Sequence, residues 1–189
     1  MAAESTFTVP EDVSFQEAIA LAQSLLDHME QGHFSEEEIK QAIAALVATE
    51  NGARGFFVTY LPDPRPFADH PTSAVIAALE TAPGNVTPLM VKNLAMSTAM
   101  AIAHRRNQNQ ELAQGSDQVK TRSARLFKNL QSPQLKTEAQ ALATTLTTGT
   151  GPYEAFLARQ HYDQEQQQAI HQALQATDLL GELGRESGD

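Results

Sequence analysis

"ATENGARGFFVTYL", residues 48–61, decides the fold class. Phe56, Phe57, Val58, Tyr60 and Leu61 have the aromatic and β-branched make-up of a strand. No other segment reads as a strand, however, and a strand without a neighbour leaves its amides and carbonyls unpaired. Residues 54–61 therefore read as a short buried helix or an extended core segment, in a chain with no substantial sheet. Asn51 and Gly52 read as the left-handed stop of the preceding helix. The other reading of the two glycines around Arg54 is a backbone nest for an anion.

Outward from this stretch the chain reads as helix after helix. Ser14 with Glu17, and Ser35 with Glu38, have capping-box spacing. They open helices from Ser14 to Gln31 and from Ser35 through Val47, each with one apolar stripe. Gly32 separates the two, and so short a turn predicts an antiparallel αα-hairpin. "PDPRPFADHP", residues 62–71, is a semi-rigid connector with four prolines. A short helix from Thr72 or Ser73 to Ala82 follows, closed by Pro83 and Gly84.

Thr87 as N-cap and Pro88 as first residue are expected to begin a central helix. It is apolar nearly all round from Leu89 to Ala103, which predicts an interior position. That run falls short of the roughly 20 residues of a membrane span. Its polar continuation, "HRRNQNQELAQ" at 104–114, is expected to end at Gly115 and Ser116. Helices from Asp117 to Gln131, from Pro133, over "PYEAFLARQHY" (152–162) and from the Asp163–Gln166 cap complete the pattern, with "TTGTGP" (147–152) as a joint. The expected fold is an all-α compact bundle of seven to eight helices around the central apolar helix. Residues 13–180 are expected to form a single domain, between a flexible segment at 1–12 and a flexible tail at 181–189.

Length permits a true core, with roughly 70% of the unfolded surface buried at this size. Apolar residues at 41% and charged ones at 19% exclude wholesale disorder. A net charge of −10 argues against general DNA or anionic-membrane binding. The lack of cysteine excludes disulfides, thiolate metal sites and cysteine nucleophiles. The first thirteen residues lack a basic-then-apolar signal pattern, so a cytoplasmic protein is expected. No HExxH, G-x-S-x-G, GxGxxG or Walker pattern occurs. No metal, cofactor or catalytic residue is assigned, and an enzyme is not the favoured reading.

Charge is unevenly spread. Residues 92–128 carry a net +5 in a chain whose remainder is −15. Arg105, Arg106, Arg122 and Arg125 are the candidate contacts for an acidic protein partner. Such a partner fits this patch better than RNA, because no aromatic residues are interleaved as stacking platforms. The alternative site is a pocket for an anionic metabolite between the central helix and residues 54–61, near Arg54, Phe56, Tyr60 and Lys92. A homodimer is compatible with either reading.

"ENGARGFFVTYL", together with "VKNLAMSTAMAIAHRRNQNQELAQGSD", resembles a family of uncharacterised conserved cyanobacterial proteins over most of residues 14–180. The resemblance implies a bacterial cytosol and a cyanobacterial setting, and carries no activity or site residue.

The leading expectation is a non-enzymatic binding or assembly protein acting through a basic helix surface. The alternative is a sensor or enzyme for an anionic small molecule.

Overall fold

Thr49 is the residue around which the opening stretch folds. Its extended backbone makes it an N-cap, and its hydroxyl accepts a hydrogen bond from the Gly52 amide at 3.0 Å. The second helix has already ended at Val47, so Asn51 and Gly52 are the first turn of a new helix, not the stop of the old one. The strand-like residues Phe56, Phe57 and Tyr60 form that helix's buried face. Burial between neighbouring helices outweighs the β-propensity of the aromatic run.

The protein, described here by a computed structural model covering residues 7–180, has nine helices and no strand among those residues. The all-helical expectation holds, and the count exceeds seven to eight because residues 50–60 are themselves a helix. The predicted tail at 181–189 and residues 1–6 of the predicted N-terminal segment lie outside the described residues. The chain divides into two compact units, one through Leu89 and one from Met90.

The first unit contains α1 (Phe15–Glu30), α2 (Glu36–Val47), α3 (Glu50–Tyr60) and α4 (Ser73–Leu79). Both predicted capping boxes form, and Gly32 takes the left-handed conformation between α1 and α2. Helix α3 packs on α1 and α2, and α2 also packs on α4. The α1–α3 contact depends on Gly55, where a Cβ would stand 2.4 Å from the Ala18 Cβ. At Gly52 a Cβ would stand 1.9 Å from the Leu46 carbonyl oxygen. Both glycines are therefore points of close approach. Phe7 meets Phe34 edge-on, and His28 stacks on the same Phe34 ring at 4.5 Å.

The proline connector is pinned at two points. The Tyr60 hydroxyl donates to the Phe67 carbonyl at 2.7 Å. Arg65 forks onto Asp63 with two 2.8 Å hydrogen bonds and reaches Asp27 and Glu30 near the end of α1. These carboxylates raise the already high pKa of the guanidinium further, Asp63 foremost.

Helix α5 (Pro83–Arg106) begins four residues before the expected cap. Pro83 and Gly84 open it rather than closing α4, and Pro88 lies inside it. The Thr87 hydroxyl donates to the Pro83 carbonyl at 2.8 Å. Asn85 gives its side-chain amide to the Val47 and Ala48 carbonyls at the end of α2. Among the described residues, α5 alone is long and apolar enough to cross a membrane by length and composition. A core helix passes the same test, and 56% of its apolar window is buried within the fold. Met96 and Met100, one turn apart, are exposed, so the predicted all-round burial holds for only part of the circumference.

The second unit continues with α6 (Gln110–Asn129), α7 (Pro133–Thr148), α8 (Glu154–Gln160) and α9 (Gln164–Gln175). The chain turns at 107–109, with Gln108 left-handed and the Asn109 side chain accepting from the Leu112 amide at 3.1 Å. The predicted break at Gly115 and Ser116 is therefore absent, and both lie within α6. Gly149 closes α7 in the left-handed conformation, and the Asp163–Gln166 capping box opens α9 as expected. Leu126 and Phe127 of α6, Leu135, Ala139 and Leu142 of α7, and Ile170 and Leu174 of α9 are buried.

Candidate functional site

Helix α6 sorts its residues by angle. Ser123, Leu126 and Phe127 face inward, while Lys120, Ala124, Arg125 and Lys128 fall on one flank at helical spacing. That flank is one wall of a groove open to solvent, with a volume of about 560 Å³. Leu94 and Thr98 of α5 contribute to its lining, and the other wall is α9, through Ala169, Gln172, Ala173 and the following Ala176. The groove thus has three cationic side chains along one wall and small or apolar residues over most of the rest.

The four arginines expected to receive a partner have different fates. Arg105 forms an ion pair with Asp117, which also meets Lys120 at 3.8 Å. Arg106 is bound to both Asp163 and Glu165, tying the end of α5 to the N-terminus of α9. This pairing raises the Arg106 pKa, mainly through Asp163, and holds the Asp163 carboxyl below its ordinary value of 3.8. The Gln166 side chain adds a second tie, donating to the Ala99 carbonyl at 3.1 Å.

Arg122 was expected on the surface flank of α6 and is instead buried, with only 1% of its surface exposed. The whole side chain, guanidinium included, is enclosed on the inward side of the helix with Ser123, Leu126 and Phe127. Arg125 alone of the four lines the groove. Lys120 and Lys128, which periodicity places at the flank of the apolar stripe and opposite it but which are not among the four expected contacts, line it with Arg125. The alanines of α9 carried no signal of this kind, because only tertiary packing places them opposite α6.

The residues of the alternative pocket are occupied within their own units. Phe56 and Tyr60 stack with ring centroids 4.9 Å apart and are buried. Arg54 is exposed and lies over the Phe15 ring at 4.9 Å. In the second unit, the Lys92 ammonium is 5.9 Å from the Phe156 ring centroid. Phe156 in turn meets Tyr153 and Tyr162 edge-on. Burial pushes the Tyr162 hydroxyl up to about 12, and the Tyr153 hydroxyl, also buried, donates to Glu138 at 2.6 Å. Among the described residues no cluster of three or more histidine, aspartate or glutamate side chains is arranged to hold a metal ion.

No curated protein and no solved structure matches this chain. One family model does, across residues 14–177, a span that includes all of the described helices and every residue lining the groove. The chain belongs to the family described as uncharacterised conserved protein UCP020893.

Proposed function

We propose that this is a non-enzymatic cytosolic binding protein that takes an acidic protein partner in the α5–α6–α9 groove. The observation that carries this reading is the alignment of Lys120, Arg125 and Lys128 along one wall, in a chain whose net charge is −10. Such a local reversal of sign steers an acidic partner to one place and repels it elsewhere. Arg105 and Arg106 serve the site indirectly, since Arg106 joins two of the helices that line it.

The openness of the groove favours a protein segment over a metabolite. Small-molecule sites enclose about 70–90% of their ligand, whereas this groove is open to solvent. The sequence adds no catalytic motif that would give an enzyme its nucleophile or base.

The test is a titration with a labelled glutamate-rich peptide and its glutamine counterpart. The glutamate peptide should bind, weaken as salt is raised, and lose affinity for the Lys120→Glu/Lys128→Glu variant, with circular dichroism unchanged. Equal binding of the two peptides, or full binding by the variant, would remove the proposal.

A further inference from the structure

The groove also specifies the shape of what enters it. We propose that its occupant is an amphipathic α-helix of the partner, with carboxylates two turns apart on the side facing Lys120 and Lys128. This rests on the reading that the groove receives an acidic protein segment, and it adds conformation and residue spacing to that reading.

Two features argue for a helix. The walls are themselves helices, and the residues facing the groove recur at helical spacing. Ala169 and Ala173 of α9 and its C-cap Ala176 stand at i, i+4 and i+7, and Lys120, Ala124 and Lys128 stand at i, i+4 and i+8 on α6. Small side chains at these positions let a third helix come close, as Gly55 lets α3 approach α1 in the first unit. The helix-in-groove mode reads its ligand through residues one and two turns apart.

Spacing then follows from geometry. Lys120 and Lys128 are eight residues apart, which is about 12 Å along α6. A helix lying along α6 matches both ammonium groups with acidic residues at i and i+7 or i+8. Its apolar face would then sit on the half-buried Ala124 and Ala173. A small residue fits opposite Ala124, between the two carboxylates, while Arg125 adds a third cation on the same wall. An extended strand would bring no hydrogen-bonding edge into use here, since neither wall offers unpaired backbone along its length.

The experiment compares three labelled alanine-rich peptides on the full chain. The first carries two glutamates eight residues apart, the second places them four residues apart, and the third keeps the first spacing with a central proline. The first should bind about tenfold tighter than either of the others. Replacing Ala173 by leucine, which fills the groove, should cost the first peptide at least as much. Equal binding of all three, with the lysine double variant still defective, overturns the helix and leaves the acidic-segment reading standing. Failure of every peptide overturns both. Binding of a single-stranded RNA in place of the peptides, with the same sensitivity to the lysine variant, would also overturn the helix.

Discussion

The two units each contain a place where small residues stand at helical intervals, and they use it differently. In the first unit, Gly52 and Gly55 of α3 are closed against Leu46 and Ala18, and a methyl group has no room. In the second, Ala124, Ala169 and Ala173 line an open groove beside three cations. Close approach is thus satisfied inside one unit and left on offer in the other. Charge differs in degree between the two. Arg65 of the first unit is bound by three carboxylates from its own loop and α1, whereas Lys120, which meets Asp117 at 3.8 Å, borders with Arg125 and Lys128 a groove accessible from solvent.

The sharpest way to break this comparison is to enlarge one residue on each side. Gly55→Leu should destabilise the chain by about 3 kcal/mol, because the α1–α3 contact must open to admit the side chain. Denaturant unfolding would measure it, and a change under about 0.5 kcal/mol would mean that the contact yields freely. Thr49→Ala removes the N-cap of α3 and should cost about 1 kcal/mol in the same assay. A comparable loss from Gly115→Ala would be unexpected, since that glycine has nothing within 4 Å of an added Cβ.

A smaller effect concerns the tie between α5 and α9. Asp163 has its folded-state pKa held below 3.8, chiefly by Arg106. A depressed carboxylate stabilises above its unfolded value, and that contribution fades as pH falls through the folded one. Arg106→Gln should therefore separate from the parent protein near neutral pH, and the two curves should converge as pH falls from the unfolded value of 3.8 through the lowered folded one. Urea midpoints measured across that range would show it. The gap at neutral pH should be modest, because the pair is exposed to solvent. Smallest of all on stability should be Ala173→Leu, within about 0.5 kcal/mol, although it blocks the groove. A large loss there would show that α9 is packed tightly at this position.

How much was legible in the sequence depended on how local the cause was. The capping boxes at Ser14, Ser35 and Asp163 each join two side chains and two amides within four residues, and all three form as read. The Asn51–Gly52 pair misled because glycine there serves the neighbouring Leu46 carbonyl, a contact between helices. The turn at Gln108 had no glycine to announce it, while Gly115 looked like a break and is not one. The site divides in the same way. Lys120, Arg125 and Lys128 could be placed on α6 from periodicity, but the burial of Arg122 and the alanines of α9 arise only when helices pack.

In the proposed function an acidic partner binds the second unit's groove, not the paired arginines at the end of α5. Backbone amide chemical shifts recorded during a titration with the doubly acidic helical peptide test it most directly. Perturbations should concentrate on residues 120–128 and 169–176, with the amides of α3 unmoved. Perturbations centred on Arg105 and Arg106 with 169–176 silent, or none at saturating peptide, would contradict it.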